Sequence, residues 1–73
     1  MVSSKIKALL TLTNKTHADL AAHLGISPQA LSNKFHRDSF SASDLIKVAE
    51  FCECTLSFQT NSGSVCLESS DIK

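Results

Sequence analysis

The stretch that decides the fold is THADLAAHLGISPQALSNKFH, residues 16–36. Thr16 can cap a helix whose apolar face includes Leu20, and Asp19, three residues after the cap, completes a variant of the capping box. Gly25 then supplies a residue that readily turns left-handed past a helix end. The pattern therefore predicts a short helix that ends in a sharp turn.

A second capped helix is predicted directly after this turn. Ser27 can cap it, and Pro28 stands at its first position, where a missing N–H costs nothing. The small Ala21 allows the two helices to cross closely, while Ile26 and Leu31 close the core between them. Two short helices joined in this way predict a helix-turn-helix.

The flanking segments predict two more helices and a β-hairpin. Apolar residues at helical spacing precede the motif, with Ser3 or Ser4 as the expected N-cap. Another helix is expected to begin at Ser41, with Asp44 as its capping-box partner. From about residue 53 the apolar period changes to 2, and a three-residue loop at 61–63 suits a type I turn followed by a left-handed glycine.

The predicted architecture is a single, mainly α domain over residues 1–73. It consists of a compact four-helix core at 1–53, a C-terminal two-stranded hairpin at 54–69 and a frayed tail at 70–73. Because a hairpin is unstable alone, its apolar face must pack on the helices, on a second subunit, or on both. The residues expected at a dimer interface are the apolar ones of that face, Leu56, Phe58, Val65 and Leu67.

Composition limits the function classes. With 73 residues, of which 42% are hydrophobic, the chain forms one small domain whose marginal core favours self-association. The absence of a bilayer-length apolar stretch and of a signal core predicts a cytoplasmic protein. His17 and Asp19 are two positions apart on a helix, so their side chains point away from each other and cannot form an acid–base pair. The sequence also contains no recognisable activated nucleophile and no Gly-rich phosphate loop. Neither an enzyme nor a cofactor is therefore predicted.

The three cysteines fit no common zinc spacing. Cys52, Cys54 and Cys66 are expected to be reduced packing or strand residues, and no metal site is predicted. A redox or metal role for Cys54 and Cys66 stays open if the two face each other.

The formal net charge of zero hides two oppositely charged halves. Residues 1–37 contain five Lys or Arg and one Asp, whereas residues 38–73 contain two Lys and six Asp or Glu. Such asymmetry is typical of a protein with one interacting face and one solvated or self-associating face.

The second helix of the motif carries a polar, nearly uncharged face. At 100° per residue, Leu31 and Phe35 fall on one side, and the opposite side consists of Gln29, Ser32, Asn33 and His36. Gln and Asn can pair bidentately with the N6 and N7 edge of adenine. This polar strip is therefore predicted to read bases.

Groups suited to phosphate surround the polar strip. Lys34 and Arg37 lie near the end of the second helix, Lys15 and Thr16 lie at the start of the first, and free N–H groups occur near Thr16 and Ser27. These groups are predicted to fix the register of the protein on double-stranded DNA.

At these residues the chain resembles the Cro and phage-repressor class of helix-turn-helix transcriptional regulators, with a lambda-repressor-like fold. The resemblance spans about residues 6–51 and is most specific in the THADLAAHLGIS-x-QAL core. It implies phosphate contacts from His17, Ser27 and Lys34. It also implies base contacts, from Pro28, Gln29, Ser32 and Asn33. The hairpin is similar to the C-terminal strands through which small Cro-type repressors dimerise.

The sequence thus predicts a sequence-specific DNA-binding regulator, most simply a repressor, that reads a palindromic operator as a homodimer through residues 27–36. The alternative is a protein-interaction regulator, such as an antitoxin or antirepressor, whose hairpin and acidic half bind a protein partner. No membrane partner is predicted.

Overall fold

The computed structural model describes residues 1–72. Four helices lead into a hairpin: α1 is Val2–Leu12, α2 is His17–Leu24, α3 is Pro28–Arg37, α4 is Ala42–Phe51, β1 is Leu56–Thr60 and β2 is Gly63–Leu67. A short 3-10 helix, Ser69–Asp71, follows. The predicted fold class, a mainly helical domain with a C-terminal antiparallel hairpin, is confirmed.

The helix-turn-helix forms because its ends are closed locally. The Thr16 hydroxyl accepts a hydrogen bond from Asp19 N, and the Ser27 hydroxyl accepts one from Ala30 N, each at 3.1 Å. Gly25 ends α2 in the left-handed region at φ +72°. Among the described residues no bond returns from the Thr16 amide to the Asp19 carboxylate, so the predicted box is only half made.

The fourth helix begins as predicted. Ser41 and Asp44 make a full capping box: Ser41 N donates to Asp44 Oδ2 at 2.9 Å, and Asp44 N donates to Ser41 Oγ at 3.1 Å. Because both bonds lie within one turn, the sequence contains all the information this helix start requires.

The predicted N-cap of α1 is wrong. The helix begins at Val2, Met1 provides no side-chain cap, and Ser3 lies inside the first turn. The capping group comes from the end of α3, where Asp38 Oδ1 accepts a hydrogen bond from Ser3 N at 2.6 Å. This carboxylate occupies the place that a local Ser or Asp takes in most helices.

The core lies where the four helices meet. Its buried residues come from all of them: Ile6, Leu10, Leu20, Ala21, Leu31, Phe35, Val48 and Cys52. The contacts of α2 with both α3 and α4 hold the motif rigidly on this core. The residues predicted to contact bases are therefore carried by a packed helix.

The hairpin differs from its prediction at the turn. Thr60 pairs with Gly63, so the loop has the two residues Asn61 and Ser62, and Gly63 has φ +147° rather than a left-handed αL conformation. Thr60 explains the shorter loop, because its hydroxyl accepts from Ser62 N and donates to Gly63 O. The segment expected to be frayed contains part of the 3-10 helix, with Glu68 N bonded to Asp71 Oδ2; Lys73, also in that segment, lies outside the described residues.

Candidate nucleic-acid interface

The third helix exposes every residue predicted to contact bases. Leu31 and Phe35, four positions apart, face the core with 1% and 7% of their surface exposed. The residues predicted to contact bases are all exposed; Gln29, Ser32, Asn33 and His36 lie away from this buried side, and Pro28 lies at the helix start beside Leu31. Helical periodicity alone separates these two faces.

Two amides of the polar strip are ordered against each other. Gln29 Nε2 donates to Asn33 Oδ1 at 3.4 Å, across one helical turn. This long bond holds both amides on the outer face of α3 and leaves donors and acceptors of each group unused. The pair is chemically suited to the edge of a base.

The start of α2 lies against the same helix. The His17 imidazole stacks on the Phe35 ring with centroids 4.8 Å apart and an interplanar angle of 14°. His17, Ser32 and His36 border one cleft of about 250 Å³, together with Lys7 of α1. The structure thus brings a predicted phosphate contact beside two predicted base contacts.

The cap hydroxyls of Thr16 and Ser27 retain hydrogen-bonding capacity. Each oxygen accepts one backbone bond, which leaves its O–H free to donate to an external acceptor. Both residues are exposed, and the remaining N–H groups of each first turn carry the positive end of the helix dipole. These two helix starts are suited to oxygen atoms of phosphate.

Two of the predicted phosphate-binding cations are already engaged by α4. Lys34 Nζ lies 2.9 Å from Asp44 Oδ2, and both side chains are mostly buried. Partial burial opposes ionisation of Asp44, but hydrogen bonds from Lys34 and Ser41 outweigh it and lower the pKa of this carboxyl. Lys15 Nζ lies 5.3 Å from the centre of the Phe51 ring.

Arg37, in contrast, is exposed at the end of α3. The ion pairs of residues 1–72 are His23–Glu50 and Lys34–Asp44, so the Arg37 guanidinium has no carboxylate partner there. To bind a phosphate, Lys34 would have to leave Asp44, whereas Arg37 could bind a phosphate without giving up an ion pair.

The apolar face of the hairpin is divided between core and solvent. Leu56 pairs with Leu67 and both are half-buried next to α4, whereas Phe58 pairs with Val65 and each is 66% exposed. The part of the predicted dimer interface available to another molecule is therefore the Phe58–Val65 pair.

Two features of the interface were not predicted from the sequence. Lys7 borders the cleft beside His17, although the pattern indicated only a solvated face. Ser3 is a buried polar residue that joins α1 to the end of α3: its hydroxyl lies 2.9 Å from Phe35 O and 2.6 Å from Asp38 Oδ1. No local sequence signal points to this contact, because its partners are 32 and 35 residues away.

The remaining titratable residues form no second centre within the described part of the chain. Cys52, Cys54 and Cys66 are free thiols, and desolvation, with a smaller effect of the Cys52 thiol, raises the pKa of Cys54. A raised pKa disfavours the reactive thiolate. Residues 1–72 contain no His, Cys, Asp and Glu grouping able to hold a metal ion, and none of their helices has the length and apolarity needed to cross a bilayer.

Comparison with known proteins agrees with this geometry. A family model described as the bacteriophage CI repressor helix-turn-helix domain matches residues 4–58, more than half of the chain. The matched region covers α1 from its third residue, the whole of α2, α3 and α4, and the beginning of β1. No curated protein and no solved structure gave a significant match.

Proposed function

The chain belongs to the bacteriophage CI repressor helix-turn-helix family, and from this premise we propose that it is a sequence-specific transcriptional repressor that binds a palindromic operator as a homodimer. The observation that carries the proposal is the exposed polar face of α3, where Gln29 and Asn33 are ordered by their mutual hydrogen bond. An exposed strip of neutral amides and hydroxyls, with no charge along its centre, offers the hydrogen-bond donors and acceptors that match the edges of bases.

In this proposal α3 enters the major groove, and the amides of Gln29 and Asn33 recognise adenine through N6 and N7. Ser32 can donate to or accept from any base, and His36 extends the contact toward the helix end. Pro28 lies at the start of the helix, where an apolar ring can contact a thymine methyl group.

Phosphate contacts would fix the position of α3 in the groove. The starts of α2 and α3 offer N–H groups, the hydroxyls of Thr16 and Ser27, and the imidazole of His17 on either side of the recognition face. Arg37 supplies a charge at the far end, and Lys34 and Lys15 can add two more on leaving their intramolecular partners. The electrostatic contribution is modest because the whole chain has no net charge.

The hairpin supports a homodimer. A cross-strand pair of large apolar side chains, Phe58 and Val65, is exposed on one face, and a second copy of the same surface can cover it in a two-fold interface. A two-fold dimer places the two recognition helices on successive turns of the major groove, about 34 Å apart. Occupation of a promoter by such a dimer represses it.

Selection from a random duplex pool at physiological salt tests sequence recognition. We expect a palindromic site, and Gln29→Ala and Asn33→Ala should each cost about 1–3 kcal/mol against it and relax the base preference at one position per half-site. Gln59→Ala is the matched control, because Gln59 is an exposed amide on the hairpin. An unchanged base preference in both α3 variants would place recognition elsewhere.

Sedimentation tests the dimer. Phe58→Asp should shift the protein toward the monomer, whereas Gln59→Asp, which adds the same charge on the opposite face of the same strand, should not. A wild-type protein that stays monomeric at high concentration would rule out the homodimer. In that event the exposed Phe58–Val65 pair and the acidic half would favour the alternative, a protein-interaction regulator. Failure of the duplex selection would support that alternative further.

A further inference from the structure

We propose that the cleft between α1, α2 and α3 holds a phosphodiester group of the bound DNA, with Lys7 as a phosphate contact that reaches it from α1. The inference rests on the proposed DNA-binding function, which already assigns a phosphate contact to His17, and adds Lys7 of α1 to it. The cleft has a volume of about 250 Å³ and is bordered by Lys7, His17, Ser32, Phe35 and His36.

One buried ring contacts two polar groups of the cleft. Phe35, on the inner face of α3, stacks on His17 and has Lys7 Nζ 5.5 Å from its ring centre. Phe40 packs against the same ring edge-on, with centroids 5.2 Å apart. The ring therefore holds the Lys7 ammonium of α1 by a cation–π contact and the His17 imidazole of α2 by stacking, both beside α3.

These polar groups have no competing acidic partner within the described residues. The ion pairs there are His23–Glu50 and Lys34–Asp44, so none engages Lys7, His17 or His36. Three nitrogen-bearing side chains and the Ser32 hydroxyl thus surround one polar, solvent-open cleft. An anion with several acceptor oxygens satisfies such a set, and the phosphodiester is the anion that the neighbouring base-reading face brings with it.

Other charged side chains lie on the elements that form the cleft or pack beside it. On α2, Asp19 lies in the first turn after His17, and on α3, Arg37 follows His36. Asp38, at the end of α3, is held by Ser3 of α1, and Asp44 of α4 is held by Lys34. None of these acidic side chains borders the cleft.

Lys5 provides a matched control for Lys7. It lies on the same helix, carries the same charge and is also exposed, but it borders an apolar groove beside Val2 and Leu45 rather than the cleft. Lys5→Gln and Lys7→Gln therefore change the net charge identically and differ in position alone.

The test measures binding of the selected duplex, by fluorescence anisotropy, as a function of salt. Lys7→Gln should lower the log–log salt slope by about 0.9, which amounts to about eightfold in affinity at 0.1 M salt relative to 1 M, equally for all duplexes. Lys5→Gln should leave the slope nearly unchanged. Equal slopes for the two variants would mean that Lys7 adds only long-range attraction, and would overturn the proposal.

A pair of histidine variants completes the test. His17→Gln should weaken binding of the selected duplex, while His23→Gln, which removes an imidazole on α2 that contacts Glu50 rather than the cleft, should not. If the wild type binds a selected duplex but Lys7→Gln and His17→Gln behave like their controls, only the cleft proposal fails. If the wild type selects no duplex, the proposed function fails with it. Saturation by micromolar inorganic phosphate would identify a small-anion pocket instead and overturn the assignment to DNA.

Discussion

Removal of the Ser3 hydroxyl should loosen the attachment of α1 to α3. Ser3 is 96% buried, with an exposed fraction of 4%, and its single O–H proton is shared between Phe35 O at 2.9 Å and Asp38 Oδ1 at 2.6 Å. Ser3→Ala deletes these bonds but keeps the backbone bond from Ser3 N to Asp38. The Phe35 carbonyl also retains a long bond from Asp38 N, at 3.4 Å.

The size of the effect follows from these remaining bonds. A buried hydroxyl hydrogen bond contributes about 1–2 kcal/mol, and no acceptor is left wholly unpaired to add more. Alanine in a helix recovers up to about 0.5 kcal/mol through its higher propensity. Ser4→Ala gains the same propensity at an exposed position, where the hydroxyl bonds only Met1 O within its own turn. The difference between the two variants should therefore be about 1–2 kcal/mol.

Urea and thermal unfolding followed by far-UV circular dichroism measure this difference, since the chain contains no Trp or Tyr for fluorescence. Ser3→Ala should unfold roughly 5–15 °C below Ser4→Ala. Asp38→Asn is a suitable second variant because asparagine tolerates the φ of +54° at this position. The effects of Ser3→Ala and Asp38→Asn on the free energy of unfolding should be non-additive, since both substitutions remove the same contact. Equal midpoints for Ser3→Ala and Ser4→Ala would refute the stabilising role of the buried hydroxyl.

Three further predictions concern stability. Leu20→Ala, at a position with 0% exposure, should cost about 2–5 kcal/mol in urea unfolding, whereas Leu12→Ala at 83% exposure should stay within about 0.5 kcal/mol. In Gly25→Ala the added Cβ meets no atom within 4 Å, but the backbone has a left-handed φ of +72°. Because alanine disfavours this conformation, the substitution should lower the free energy of unfolding by about 1–2 kcal/mol in the same assay. Hydrogen bonds from Ser3 lower the pKa of Asp38, and hydrogen bonds from Lys34 and Ser41 lower the pKa of Asp44 despite its partial burial. The stabilisation from both carboxylates is present above their ordinary pKa of 3.8 and is lost as the pH falls through the lowered pKa of the folded state. Unfolding midpoints should therefore drop below about pH 4, and they should drop less steeply in Asp38→Asn.

The sequence by itself determined the elements whose bonds are local. The caps at Thr16, Ser27 and Ser41, the left-handed Gly25 and the outward face of α3 each depend on residues within four positions of one another. Such bonds form in the same geometry wherever the helix packs, so spacing is sufficient to predict them. The polar strip was predicted from spacing alone for this reason, and it is exposed as expected.

The tertiary structure decided the contacts between segments far apart in the chain. Asp38 caps α1 across 35 residues, Lys34 turns to Asp44, and Lys7 reaches the cleft beside His17. At these positions a side chain has several chemically acceptable partners, and the packing of the four helices selects one. Helical spacing says which face a residue lies on, but only the fold says what that face meets.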